Sequence, residues 1–403
     1  MKIKSVFQNR NLTLLWSGQV ISQSGDSIYH IGLIWLVLEM SGSEMITGLV
    51  AMSSYLPAVL LSLHAGLVAD RYSKRHIMLW ADLFRSIAVL AIPVLYFTGN
   101  ISPAWLIVVA FSIAMSAAFF NPARDAIIPD IVPADGLLRA NSLIQTSWQF
   151  ALLLGPAIAG GLLHYVGNIH LFTIDSLVYL LAFACILLII IPKAKLVQPK
   201  KELMGMEIRE GLNFVLRHKV LLPLLLITIA DNLFIMGPAI VGTPVIVKRE
   251  LGLGAESYAL IQGCYAVGML IGTALLVAYG RKVNKGKILL IGMMLDGLTF
   301  VPVFWVKSIQ VLAIIIIIHS LAIPMLTVSR ASMIQELVPV HLRGRIFALV
   351  NMSVLGMSAI SAGISGIILE QTGVRELYLW IGCGGALCGV IGWLFAKSLK
   401  AVR

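Results

Sequence analysis

Residues 309–328, IQVLAIIIIIHSLAIPMLTV, decide the fold class of this chain. In these twenty consecutive residues His319 is the one titratable side chain. A helix of about 20 mostly apolar residues is long enough to span the hydrocarbon core of a bilayer. An open strand could not cross lipid, because its unpaired backbone groups would be too costly there. The stretch therefore predicts a transmembrane helix.

Eleven further apolar runs of this kind occur along the chain. With 309–328, the predicted spans are 12–38, 46–68, 77–97, 103–121, 142–164, 169–191, 220–247, 257–279, 288–306, 346–369 and 376–396. The 403 residues are 59% hydrophobic and 12% charged, with a mean hydropathy of +0.93. A soluble domain carries about 25% charged residues. The composition and the runs predict an all-α membrane protein with twelve transmembrane helices.

The Lys and Arg residues fall mostly on one side of these spans. Of the 30, 25 lie at the termini or in loops on one side, four lie on the other side, and Arg85 lies inside the third span. Because cytoplasmic loops carry the basic excess, we expect a multi-pass inner (plasma) membrane protein with both termini cytoplasmic. The longest loop, 192–219, separates a six-helix half at 1–191 from another at 220–403, and residues 202–217 within it predict an amphipathic helix.

The two halves repeat part of their sequence at a nearly constant offset. A shift of 205 positions places Asp26 on Asp231, and a shift of 206 aligns further pairs. These pairs include Arg124 with Arg330, Asp130 with Glu336, Arg139 with Arg345, Gly167 with Gly373 and Leu171 with Leu377. Parallel repeats with a site between them are typical of secondary transporters. The repeat predicts two pseudo-symmetric six-helix halves.

The loop after the second span reads GLVADRYSKR at 66–75. Gly66 would let a neighbouring helix approach, and Asp70 could cap a helix N-terminus or pair with an arginine. Ordinary positive-inside topology explains the basic residues, but not the glycine and the acid. The stretch resembles the cytoplasmic signature of the major facilitator superfamily. The resemblance implies a cytoplasmic gate, and we assign to it Gly66, Asp70, Arg71, Lys74, Arg75 and Arg124.

The fifth span contains GPAIAGG at 155–161, where the proline bends the helix and the glycines permit close packing. A packing kink without a role in transport is the alternative interpretation. The run is similar to the span-5 motif of drug and solute exporters of this superfamily, through Gly155, Pro156, Gly160 and Gly161. The segments LLWSGQ at 14–19 and NPARD at 121–125 resemble the branch that includes macrolide-efflux and siderophore-export proteins.

Ionisable residues in the middle of spans need a partner or a purpose, because a charge at the bilayer centre costs about 2.5–3.5 kcal/mol on insertion scales. Asp26 and His30 share a helix face at a spacing of four. Since desolvation penalises a charged carboxylate, Asp26 could bind a proton in one conformation and release it in another. An interhelical hydrogen bond is the alternative. The candidates for proton coupling or substrate binding are Asp26, His30, Asp231, Asp82, Arg85 and Asp296; Asp82 and Arg85 are expected to neutralise each other.

The superfamily resemblance also implies a central cavity lined mainly by spans 1, 4, 7 and 10. Aromatic side chains available to it are Tyr29, Tyr55, Trp148, Phe234 and Tyr265. Aromatic surfaces suit bulky amphipathic solutes. The leading hypothesis is a secondary active exporter of a bulky small molecule, a macrolide-like drug or a siderophore, working by proton antiport and alternating access. A lipid or lysolipid flippase, or a uniporter, on the same scaffold is the alternative.

Other classes of protein are disfavoured by the sequence. It lacks the GxxxxGK[ST] motif of an ATP-driven pump. Its eight histidines are scattered and no Cys/His spacing suggests a metal site, which disfavours a membrane enzyme. The net charge of +11 arises from the loops, without a basic stripe interleaved with aromatics, so we expect no nucleic-acid partner. The expected partners are a small-molecule substrate, protons and the lipid bilayer, with no cofactor and a monomeric chain.

Overall fold

The computed structural model describes residues 9–133, 136–190, 204–280 and 284–402. Residue contacts divide the chain into two compact units. The first comprises Met1–Ser41 and Ser53–Lys201, and the second comprises Gly42–Met52 and Glu202–Arg403. The division into halves at 1–191 and 220–403 stays a prediction. Of the predicted linker 192–219, residues 192–203 lie outside the described residues.

The first unit consists of long helices. They are α1 (Arg10–Ser41), α3 (Leu56–Arg71), α4 (Lys74–Phe97), α5 (Pro103–Ile131), α6 (Leu137–Val166) and α7 (Asn168–Leu187). Helix α1 packs on α6 and α7, and α4 packs on α5 and α7. A buried apolar cluster that includes Leu15, Phe120 and Ile186 joins α1, α5 and α7 at one end of the unit.

Three glycines bring α1 close to α7 at a spacing of seven residues. Their missing Cβ atoms would face Cys185 at Gly18, Asp175 and Val178 at Gly25, and Asn168 and Leu171 at Gly32. As the glycine positions along α1 increase, the contacted positions along α7 decrease, so the two helices run antiparallel. Small residues allow such close backbone approach in membranes, where dispersion contacts and hydrogen bonds drive helix association.

The second unit contains the remaining helices. They are α2 (Glu44–Ser53), α8 (Met204–Arg217), α9 (Leu221–Gly237), α10 (Thr243–Val245), α11 (Ala255–Tyr279), α12 (Lys285–Leu298), α13 (Ile309–Leu337), α14 (Val340–Thr372), α15 (Val374–Phe395) and α16 (Lys397–Lys400). Two π-helical turns, Pro238–Gly242 and Ile246–Glu250, flank α10. Helix α11 packs on α13, α12 on α15, and α9 on α14.

Among the described residues, eleven helical segments are long and apolar enough to cross a membrane. Helix α1 is outside this set, since polar residues such as Gln19, Gln23 and Asp26 interrupt its apolar character. The twelfth span therefore stays a prediction, although its 32-residue helix is present. Many large apolar side chains, among them Trp80 and Val277, lie exposed on the helices, as is expected where lipid is the solvent.

Several boundaries differ from the prediction. The span expected at 46–68 is interrupted between α2 and α3, because Pro57 in the first turn of α3 has no N–H to continue the helical ladder. The run expected at 288–306 ends as a helix at Leu298 and continues as a 3₁₀ turn, Val301–Trp305. Helices α5 and α13 extend to Ile131 and Leu337, beyond their apolar runs. Hydropathy identifies the part of a helix that crosses lipid, but it does not detect where the same helix continues with polar residues.

Within the predicted stretch 202–217, the described residues form α8, Met204–Arg217, which confirms a helix there. Its Val215 is buried in an apolar cluster with residues of α9 and α14, and Glu210 forms an ion pair with Arg345 of α14. One side of α8 is therefore fastened to the second unit.

Candidate functional site in the first unit

A cluster of ionisable side chains lies where α1, α4 and α7 pack together. Helix α1 supplies Asp26, α4 supplies Asp82 and Arg85, and α7 supplies Asp175 and Tyr179. We call these five residues the acid cluster. All except Asp26 are buried, and Asp26 is half-buried. The glycine at position 25 lets α1 approach α7 closely enough to form the cluster.

Arg85 is the cation of the acid cluster and is 3% exposed. Its Nη2 lies 3.5 Å from Oδ1 of Asp82, which confirms the predicted pairing of these two residues. Its guanidinium carbon lies 4.4 Å from the centroid of the Phe120 ring and 5.2 Å from that of Tyr179. Aromatic faces attract cations through the ring quadrupole, most strongly where water is excluded. The rings and the carboxylate together make a buried arginine tolerable.

Tyr179 connects the cluster to α1. Its hydroxyl donates a hydrogen bond to Oδ1 of Asp26, 153 positions away in the chain. The expected partner of Asp26, His30, is exposed, and its ring packs against Tyr29 at a centroid distance of 5.3 Å. Among the described residues no ion pair within 4.0 Å joins Asp26 to His30, although the charge of Asp26 acts on His30 electrostatically. Packing between helices, rather than the i,i+4 spacing, selected the partner of Asp26.

Asp175 is the residue that sequence analysis missed. Its side chain is 0% exposed, and neither carboxyl oxygen has a hydrogen-bond partner among the described residues. The charges of Asp26 and Arg85 act on it electrostatically. The sequence does carry a signal for it, since Asp175 is an acid inside the apolar predicted span 169–191.

The second unit holds a different set of buried groups. His319 is fully enclosed, with its ring stacked on Phe300 at a centroid distance of 4.0 Å. Its Nδ1 lies 3.5 Å from Oδ1 of Asp296 and donates to the Asp296 backbone carbonyl at 3.2 Å. Asp231 is 6% exposed and is acted on electrostatically by the charge of Arg330. The structure thus places Asp231 and Asp296 in the core of their unit.

The predicted gate residues divide into paired and exposed ones. Lys74 Nζ binds Oδ2 of Asp130 at 2.7 Å, and Arg75 donates to the backbone carbonyls of Ile186 and Leu187. Both contacts fasten the start of α4 to the ends of α5 and α7.

Arg124 pairs with Asp125 at 2.8 Å and donates to Gln19 at 3.2 Å. Asp70 and Arg71 are exposed at the end of α3, and α4 begins after Ser73 without a cap from Asp70. No described atom lies within 4 Å of a Cβ built on Gly66, so the expected close approach is absent there.

The span-5 motif lies within α6. A Cβ on Gly155 would collide with the side chain of Ser27 on α1, so this glycine permits close packing, as expected. Pro156 is buried inside the helix, whereas Gly160 is only partly buried. A Cβ on Gly161 would meet nothing described within 4 Å.

The five aromatic candidates for a cavity lining differ in exposure. Tyr29 is 1% exposed and packs edge-to-face on Phe172, so the expectation that it lines a cavity is wrong for this structure. Trp148 is exposed, and Tyr55, Phe234 and Tyr265 are partly exposed. Their part in a cavity stays a prediction.

The sequence also matches known proteins. Residues 4–400 match the family described as Transmembrane secretion effector. The chain belongs to this family of the major facilitator superfamily. The resemblance of its loop and span motifs to that superfamily is thereby confirmed, and so is the expectation of a multi-pass membrane transporter.

Relatives match this family member over nearly its whole length. It is 25% identical to "Macrolide efflux protein A" of Streptococcus pyogenes over 397 residues, covering 96% of the chain and 97% of the relative. It is 24% identical to "Multidrug efflux pump Tap" of Mycolicibacterium fortuitum, covering 96% of both chains.

Solved structures show the same fold. One is a bacterial homologue of the iron transporter ferroportin in an inward-facing state, with a TM-score of 0.77, 16% identity, and coverage of 96% of this chain and 99% of that one. Another is a POT family transporter in complex with 5-aminolevulinic acid, with a TM-score of 0.76, 13% identity and 97% coverage of both chains.

Proposed function

We propose that this chain is a secondary active exporter of a bulky, amphipathic small molecule, driven by proton entry through alternating access. Export is supported by its family and by relatives named for macrolide and multidrug efflux. A macrolide-like solute is the first substrate class to test, and a siderophore is the second. The exposed and partly exposed aromatics Trp148, Phe234 and Tyr265 offer surface for such a solute.

Asp26 is the coupling residue of this proposal, and its placement is the observation that carries it. It is half-buried, and the hydrogen bond from Tyr179 ties it to the buried members of the acid cluster. A carboxyl at such a boundary gains or loses a proton when small movements of α1 change its exposure. Proton binding can therefore be linked to the conformational cycle.

Topology and assembly complete the proposal. The excess of basic residues supports cytoplasmic termini, and the gate would then close on the cytoplasmic side. Lys74, Arg75 and Arg124, which fasten helix ends within the first unit, would take part in that closure. The chain is proposed to work as a monomer.

The test uses protein reconstituted in liposomes with a trapped pH dye. A panel of macrolides, lipophilic cations and siderophores is applied as solute gradients to wild type and to Asp26→Asn. Glu39→Gln is the matched control, because Glu39 is an exposed acid on the same helix. We expect one solute class to drive proton movement in wild type and in Glu39→Gln, and not in Asp26→Asn.

Other outcomes redirect the proposal. Solute movement without proton flux in wild type would reject antiport and favour a uniporter. Movement of labelled lysolipid between leaflets, with no response to the panel, would favour a flippase. Equal proton flux in Asp26→Asn and wild type would remove Asp26 from the coupling step.

A further inference from the structure

The acid cluster contains more acids than bases. Three carboxyl groups, those of Asp26, Asp82 and Asp175, surround one guanidinium. The other titratable groups on the packed helices do not restore the balance. His30 of α1, on which the charge of Asp26 acts, is exposed, as are His164 of α6 and His170 of α7. Tyr29 and Tyr179 are neutral phenols at physiological pH. Burying the excess negative charge without water is unfavourable, so the cluster needs a further positive charge.

The three acids are not equivalent. Asp82 has its ion pair with Arg85, and Asp26 has the hydrogen bond from Tyr179 and is only half-buried. Asp175 has neither an ion pair within 4.0 Å nor a hydrogen bond among the described residues, and it is fully enclosed. An ionised carboxylate is least tolerable where it is most desolvated and least paired. The missing positive charge therefore belongs at Asp175.

The packing around Asp175 limits what can bind there. A Cβ placed on Gly25 of α1 would already collide with Oδ1 of Asp175 and with the side chain of Val178. Helix backbone thus lies directly against the carboxyl group and leaves no space for a hydrated cation or an organic ammonium group. A proton, which forms an O–H bond on the carboxyl itself, is the ligand that fits.

We propose that Asp175 is a proton-binding site of this transporter, coupled electrostatically to Asp26. Resting on the proposed function, this inference adds a second acid to the coupling mechanism. When the Asp26 O–H bond breaks and its proton leaves, the new negative charge strengthens the hold of Asp175 on its own proton. When Asp26 is protonated again, that hold weakens.

The test is infrared difference spectroscopy of the purified full-length protein, which requires no knowledge of the substrate. A protonated carboxyl gives a C=O stretching band that is distinct from that of a carboxylate. We expect the carboxylic-acid region at neutral pH to contain a component that is present in wild type and in the control Glu39→Gln and is missing in Asp175→Asn, beside any bands of the other buried acids Asp82, Asp231 and Asp296. Identical carboxylic-acid bands in wild type and Asp175→Asn would overturn the proposal.

A second variant tests the coupling and serves if Asp175→Asn does not fold. In Asp26→Asn the neighbouring carboxylate is absent, so the band of Asp175 should persist at neutral pH, and the pH at which it disappears should differ from that of wild type. An unshifted titration would reject coupling to Asp26. Because the band is recorded without solute, its presence with no solute-driven proton flux would reject the proposed antiport while retaining the proton site.

Discussion

The two units share their scaffold and differ in their buried chemistry. Gly167 and Gly373, aligned by the repeat, both have positive φ, at 79° and 96°, and both join two helices. The aligned acids Asp130 and Glu336 each bind a lysine that begins a helix, at 2.7 Å and 2.6 Å. The repeat is thus seen in backbone conformation and in ion pairs as well as in sequence.

The ionisable interiors do not repeat in the same way. In the first unit, three acids surround the enclosed Arg85. In the second unit, the Asp296–His319 pair is enclosed, and Arg330, which acts on Asp231, remains partly exposed. The difference teaches that aligned positions of the two units keep contacts that hold the helices together, whereas the buried ionisable groups are not the same.

The largest effect is expected from removing Arg85. Arg85→Leu leaves buried carboxylates without their cation, and breaking a buried pair in this way costs about 3–5 kcal/mol. Arg330→Leu should cost less, because solvent already reaches that side chain. Thermal unfolding of the detergent-purified variants measures both. The double variant Asp82→Leu/Arg85→Leu should recover part of the stability lost in Arg85→Leu. Equal losses of stability in Arg85→Leu and Arg330→Leu would contradict the proposed difference between the units.

Glycine contacts give the next effect. Gly297→Ala in the second unit would push a Cβ against backbone atoms of Gly385 and Ala386, whereas Gly25→Ala would meet side chains of Asp175 and Val178. Overpacking costs about 1–3 kcal/mol, and we expect the higher end at Gly297 because backbone cannot rotate away. Gly161→Ala, which meets nothing described, is the control and should not destabilise. A reversed order would show that the first unit is the more tightly packed one.

The Asp296–His319 pair should affect stability more than coupling. Asp296→Asn weakens a buried contact to His319 and should cost about 1–2 kcal/mol, with solute-driven proton flux retained. Unfolding curves and the liposome assay are measured on the same preparations. Loss of proton flux in Asp296→Asn would indicate that acids of both units take part in coupling, and would contradict the difference between the units.

The smallest effect is expected at the two lysine ion pairs. Lys74→Met and Lys285→Met should each cost at most about 1 kcal/mol, since both pairs are partly exposed. The loss should be smaller still at high salt, because salt screens exposed charges. Unfolding at low and high ionic strength checks this. A salt-independent loss at Lys74 alone would indicate that the two pairs are not equivalent.

Local patterns in the sequence determined much of this protein. Runs of about 20 apolar residues fix where helices cross lipid, because insertion free energy adds up residue by residue along one segment. The pairing of Asp82 with Arg85 also followed from sequence, since a spacing of three lies within one helical turn. The glycine and charge motifs were sufficient to identify the superfamily.

Only the tertiary structure decided which residues meet across helices. Asp26, Asp175 and Tyr179 converge because glycines bring α1 against α7, and no spacing in the chain encodes that contact. Packing between helices likewise decides that Lys74 of α4 binds Asp130 of α5 rather than Asp70, which is nearer in sequence. The hydropathy of an apolar run reflects the affinity of one segment for lipid. The partner of a buried charge depends instead on how several helices pack together. That packing forms the candidate site.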